Sequence, residues 1–251
     1  MIARLPVLFL VAWLAGCGQQ GQLSNLPENA IVVNADINQD TFDNYKREFS
    51  RTGSRDLVIS SRGGNNSVAL EWARFIVDNR IRVTARTFCA SACASHLWIA
   101  SADRGVFGPT FLGFHTTSES NRIMIDLTPS VPTAHDVLDR AEGERSLYQS
   151  VGVSYDLLVD PAWHLQPVCG QIGEDGKFGF VSKFGLWAAT PDQLASYKVS
   201  YRGSLPATRE EAEQILADIT RSGSVSFAFG GDASPLEELP NCNTLPMIVA
   251  P

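Results

Sequence analysis

Three short segments carry residue types that could do chemistry together. In Phe88-Cys89-Ala90-Ser91-Ala92-Cys93-Ala94 a hydroxyl stands among small neighbours where a strand gives way to a helix. A hydroxyl there lies at the positive end of the helix dipole, beside backbone N–H groups without intrahelical acceptors. Ser60-Ser61-Arg62-Gly63-Gly64-Asn65-Asn66 also follows a strand and opens a helix. Glycine lets backbone approach a ligand closely and aim an N–H at a developing oxyanion. Phe111-Leu112-Gly113-Phe114 is a strand running into His115, an imidazole that can reach back to Ser91 Oγ as general base. Each has a plainer use: Ser91 as an N-cap, the glycines as a turn, His115 as a satisfied structural residue. What points to acyl transfer is their order and their common placement at strand ends.

Other chemistries find less support. There is no G-x-S-x-G elbow. The lysines, Lys46, Lys177, Lys183 and Lys198, leave none in the window a Ser–Lys dyad would need. His96, five residues after Ser91, falls off its helical face and reads as structural, and His135 as solvated. Trp72, Trp98 and Trp163 read as core or groove residues. The acidic residues show no glycosidase pairing. A lone C-x-x-x-C has no second ligand pair, so no zinc, other metal or cofactor is expected.

The elements that must position these groups follow from periodicity. Ile31-Val32-Val33 begins a strand, and Asp40 to Ser50 is a helix with Phe42, Tyr45 and Phe49 on one face. Leu57-Val58-Ile59 is a short buried strand. After the glycine loop, Val68, Trp72, Phe75 and Ile76 fall at helical spacing, with Glu71, Arg74 and Asp78 facing away. Arg82 to Thr87 is a strand, and Ser91 to Ala102 a buried helix. Thr116 to Thr133 is polar and proline-containing and reads as a loop or arm. Ala134 to Ser150 reads as a charged, exposed helix. Thr208-Arg209-Glu210-Glu211 forms a capping box before Ile215 and Leu216. Gly230 to Pro251 is proline-rich and reads as an irregular tail. Strands alternating with helices predict a layered α/β domain with mostly parallel strands.

The chain of 251 residues is 44% apolar and 19% charged, enough for a sizeable core. Its net charge is −7 and its Lys and Arg are scattered, which argues against a nucleic-acid partner. The start is not fold. Arg4 precedes an apolar run of eleven residues, Leu5 to Ala15, too short to span a bilayer, followed by Gly16 and Cys17. A positive start, a short apolar core and small residues before a cut make a secretory signal. Export puts the remaining Cys89, Cys93, Cys169 and Cys242 in an oxidising compartment. Of three connectivities, Cys89–Cys93 with Cys169–Cys242 is favoured, since Cys89 just before a helix and Cys93 in its first turn can meet. Two buried free thiols are the alternative.

Two resemblances sharpen this reading. Leu14-Ala15-Gly16-Cys17 resembles the lipobox of bacterial lipoproteins, which implies acylation of Cys17, a soluble domain tethered to membrane through its N-terminal lipid, and a periplasmic location in the cell envelope. Ile59-Ser60-Ser61-Arg62-Gly63-Gly64, Cys89 to Ala94 and Gly113-Phe114-His115 resemble the proteolytic subunit of the Clp protease, and more closely its exported relatives within the crotonase-like superfamily. That resemblance covers about residues 30 to 190. It implies a spiral of ββα units, Ser91 as nucleophile, His115 as base, an oxyanion hole of Gly64 and Ala92 N–H, a peptide or protein substrate, and a homo-oligomer. Phe180 to Ala188, with its Gly185-Leu186, resembles the family's closing segment.

The chain departs from that pattern twice. Arg62 stands where the family has proline. The family's third residue, an Asp roughly fifty positions after the His, has no clear match: that spacing lands on His164, preceded by Asp156 and Asp160, of which Asp160 is taken as the orienting carboxylate. The expected organisation is a signal over 1–16, a tether over 17–29, the α/β domain over 30–190 and a C-terminal extension over 191–251. The functional expectation is a lipid-anchored serine hydrolase, a peptidase. A non-catalytic scaffold or binding lipoprotein of the same fold is the alternative. A crotonase-type acyl-CoA enzyme is disfavoured, because an exported chain meets little CoA.

Overall fold

The computed structural model describes residues 25–129, 131, 135–174, 178–219 and 225–244. The segment read as a signal, with Cys17, lies outside these residues. The chain is α/β, and its central sheet is wholly parallel, in the order β1-β2-β3-β4. These strands are Ile31–Asn34, Asp56–Ser61, Arg82–Ala90 and Arg104–Gly113. Strand order equals chain order, so each crossover steps one strand further in the same direction. Helices α1 (Gln39–Thr52) and α2 (Asn66–Asn79) make the first two crossovers, and a short π-helix, Cys93–Trp98, makes the third.

Local sequence explains these boundaries. Asn38 caps α1 by accepting from Thr41 N, and Gly53 ends it in the left-handed region. Asn65 caps α2 through Ser67 N and Val68 N. Phe42 and Tyr45 of α1 meet Trp72 of α2, with Phe42 stacked on the indole at 5.2 Å. Beneath them lie Leu57, Ile59 and Val83 of the sheet. A smaller apolar cluster holds Phe88 and Phe111, stacked at 5.6 Å, with Leu186 and Phe227. It is covered by α7 (Arg209–Ile219) and by a two-stranded parallel sheet, β7 (Leu186–Ala188) with β8 (Phe227–Phe229).

Several expectations need correction. The stretch read as a loop from Thr116 contains α3, Ser118–Leu127, whose Thr117 side chain and Ser120 form a reciprocal cap. Helix α4, His135–Ser150, is not simply exposed: Val137, Ala141, Glu144, Leu147 and Tyr148 are buried. The helix after Ser91 has its regular core in π rather than α geometry. Thr208 does cap α7, accepting from Glu211 N at 3.2 Å, but the Glu211 carboxylate takes Ala207 N–H instead of returning to Thr208. Helix α5 (Asp156–His164) leads into an antiparallel hairpin, β5 (Pro167–Ile172) with β6 (Phe178–Ser182). A short α6, Pro191–Ser196, follows β7. No helix among the described residues is long and apolar enough to cross a membrane.

Candidate active site

The glycine loop is fixed from two sides. Ser61 Oγ accepts from Gly63 N at 3.1 Å. Ile37 N donates to Gly63 O at 2.7 Å, and Asn65 N donates to Ile37 O at 2.8 Å. The Gly64 N–H between them has no acceptor among the described residues. Both glycines are required. Gly63 has φ 101 and Gly64 φ 145. A Cβ on Gly64 would stand 2.2 Å from Ile37 O, and one on Gly63 would stand 2.7 Å from Ser91 Cβ. The loop therefore lies against Ser91.

Ser91 directly follows β3 in a left-handed conformation, φ 54, which costs a non-glycine residue about 1–2 kcal/mol. Several contacts impose it. Ser91 N donates to Gly113 O at 2.8 Å, and Ser91 O accepts from Ser95 N at 2.9 Å and Ser95 Oγ at 3.1 Å. A disulfide between Cys89 and Cys93 brackets the residue, with Cα atoms 5.3 Å apart. The second disulfide joins Cys169 in β5 to Cys242. The use of Ser91 as an N-cap is excluded: Ala92 occupies the cap position, without a side-chain cap bond. The Ser91 hydroxyl makes no hydrogen bond among the described residues, to His115 or to any other group. The Ala92 N–H likewise has no acceptor among the described residues.

His115 follows from register. Ala90 pairs with Gly113 across β3 and β4, so Ser91 and His115 leave the C-terminal ends of adjacent parallel strands. Phe114 is locked on its other side by reciprocal bonds with Trp187, 2.7 and 2.9 Å. The imidazole is half-buried. Burial pushes its pKa below the ordinary 6.5, and a hydrogen bond to the Thr116 backbone offsets only part of that. Its Nδ1 lies 2.9 Å from Thr116 Oγ1. When Nδ1 carries the proton, it donates to that hydroxyl and leaves Nε2 free to accept.

Asp160 is elsewhere engaged. It sits on α5 and accepts from Tyr197 Oη at 2.8 Å, making no hydrogen bond to His115. Burial raises its pKa, and the tyrosine bond opposes the rise. His164 stacks flat on Trp187 at 4.1 Å. Burial pushes its pKa down to about 4, against an opposing pull from Asp232. Sequence reasoning passed over Thr116; its one available signal was a hydroxyl directly after the histidine. Among the described residues, no group of three or more His, Cys, Asp or Glu could hold a metal ion.

No family model matches the chain, and no curated protein matches it. Solved structures do. ClpP1 from Listeria monocytogenes aligns at 15% identity over 73% of this chain and 94% of its own, with a TM-score of 0.42. A membrane-bound stomatin-specific protease aligns at 11% identity over 81% and 96%, with a TM-score of 0.40. The ClpP protease catalytic domain from Plasmodium falciparum aligns at 14% identity over 49% and 65%, with a TM-score of 0.35.

Proposed function

We propose that the chain is a serine hydrolase acting on peptide or protein, held by lipid on Cys17 to a bacterial envelope membrane and facing the periplasm. The observation that carries this is the condition of Ser91. It is held in left-handed backbone with an uncommitted hydroxyl, and its N–H is bonded to Gly113, two residues before His115. A helix-capping serine has no need of that geometry, whereas a nucleophile presented to substrate does. Two paired cysteine bridges support the exported location.

In this reading Ser91 Oγ attacks the scissile carbonyl while its proton passes to His115 Nε2. The carbonyl oxygen, now anionic, accepts from Gly64 and Ala92 N–H. Collapse breaks the C–N bond, and the leaving amine takes the proton back from Nε2. Water then enters by the same route in reverse, releasing acid and free Ser91. Thr116 holds Nδ1. A hydroxyl stabilises the transient imidazolium less than a carboxylate does, so turnover is slow. Asp160 is the alternative partner, if its carboxylate exchanges Tyr197 for His115. Assembly with further copies belongs to the same proposal.

A non-catalytic scaffold is the second reading, favoured by the absent Ser91–His115 hydrogen bond and the Asp160–Tyr197 pairing. A fluorophosphonate probe separates the two. Labelling of the wild type that is lost in both Ser91→Ala and His115→Ala supports the hydrolase. Folded wild type that stays unlabelled means the scaffold.

A further inference from the structure

Glu144 is a carboxylate with 1% exposure, and it touches the elements on both sides of the proposed site. Its Oε1 lies 3.1 Å from His96 Nε2 and accepts from Ser118 N at 3.0 Å. Its Oε2 accepts from Glu119 N at 2.9 Å. His96, with 2% exposure, sits on the π-helix that begins two residues after Ser91. Ser118 and Glu119 form the first turn of α3, three and four residues after His115. One turn further along α4, Tyr148 Oη donates to Ser95 O at 3.0 Å, so α4 grips the π-helix twice.

A buried carboxylate is costly unless its oxygens are bonded. Here both are, and the free N–H groups and dipole of α3 favour the negative charge. Burial pushes the Glu144 pKa up, but the His96 bond and the two backbone N–H groups outweigh it, and the carboxyl lies below the usual range. Among the described residues His96 Nδ1 is buried without a partner, so the ring is held through Nε2 and Glu144. The backbone link between the two catalytic segments is the Ser91 N–H to Gly113 bond at the strand ends. Beyond the strands, the Glu144 carboxylate bonds directly to both the helix leaving Ser91 and the helix following His115, and the Tyr148–Ser95 and Arg145–Glu119 contacts add further ties through α4.

Resting on the hydrolase reading above, we propose that Glu144 is a positioning residue, holding the helix after Ser91 and the helix after His115 in the register that brings hydroxyl and imidazole together. Glutamine keeps the shape of Glu144 but turns one acceptor oxygen into a donor, so it cannot serve both sides at once. The test uses the folded full chain and fluorophosphonate labelling resolved into a maximal rate and a half-saturating concentration. Folded Glu144→Gln, checked by circular dichroism, is expected to label at least tenfold more slowly at saturation, with the half-saturating concentration unchanged. His96→Gln, which keeps a donor N–H toward Glu144, is expected to stay within threefold of wild type. His96→Leu, which removes that donor, is expected to be slow, and it carries the test should Glu144→Gln not fold. A folded Glu144→Gln or His96→Leu labelling at the wild-type rate overturns the inference and leaves the Ser91–His115 site standing. An unlabelled wild type instead removes the site and the inference with it.

Discussion

Gly63 lies so close to Ser91 that a Cβ on the glycine would stand 2.7 Å from the serine Cβ. Gly63→Ala must therefore move either the loop carrying Gly64 N–H or the elbow carrying the hydroxyl. Gly53→Ala is the control: φ there is also positive, at 66, but nothing lies within 4 Å of the added carbon. Both substitutions cost more than about 1 kcal/mol in backbone strain. Only Gly63→Ala should lower the labelling rate of folded protein, by at least tenfold. Equal labelling of the two variants would detach the glycine loop from the site.

The two disulfides should separate stability from reactivity. Cys169–Cys242 spans 73 positions and Cys89–Cys93 only 4. Chain entropy gives about 4 kcal/mol for closing the long loop and about 2 kcal/mol for the short one. Replacing Cys169 and Cys242 with serine should lower Tm the more, while leaving the labelling rate of folded protein near wild type. Replacing Cys89 and Cys93 should lower Tm less and slow labelling, because Ser91 loses its bracket. If both pairs move Tm and labelling in proportion, the short bridge is only a stabiliser.

Thr116 and Asp160 compete for the third place in the site. The geometry gives Nδ1 of His115 to Thr116 and the carboxylate of Asp160 to Tyr197. Thr116→Val keeps the shape and removes the hydroxyl. It should slow labelling about fivefold, the size of one hydrogen bond of about 1 kcal/mol. Thr116→Ser should restore the rate. Asp160→Asn should stay within threefold of wild type. The opposite ranking would identify Asp160 as the residue orienting His115.

What was legible in the sequence was what short-range pattern controls. The apolar run of β2, the one-turn spacing of Trp72 and Ile76, and the small residues around Ser91 put Ser91, the glycines and His115 at strand ends. What escaped depends on partners distant in the chain. Glu144 looked solvated because charge on a helix usually is; its partners are 48 and 26 positions away, invisible to any local window. Helix α3 was hidden because its first turn is polar: Ser118, Glu119 and Ser120 are buried by contacts with α4 and by capping rather than by an apolar stripe. The first half of β4 was masked by Gly105, Gly108 and Pro109, residues that weaken a strand pattern.

The rate of labelling should carry an acid limb set by His115, which must be neutral to accept the Ser91 proton. Burial holds its pKa below 6.5, so the neutral form persists further into acid than for a free imidazole. The half-maximal labelling rate should fall below pH 6.5. A limb centred above pH 6.5 would mean that a carboxylate partners His115 during the reaction.

Stability should show a separate acid loss from His164. Its folded pKa is about 4, well below the ordinary 6.5, because the ring is packed flat on Trp187 away from water. The unfolded chain therefore takes up this proton first as pH falls. The sign follows: stability is full above pH 6.5 and declines toward pH 4, where the folded form begins to bind the same proton. Asp232, the one charge acting on the ring, pulls the other way and only narrows the window. His164→Phe keeps an aromatic ring against Trp187 and cannot titrate. Its Tm should therefore fall less than that of the wild type between pH 6.5 and pH 4. Parallel curves would mean that His164 binds its proton equally well in both states, and that its stacking on Trp187 does not exclude the charge.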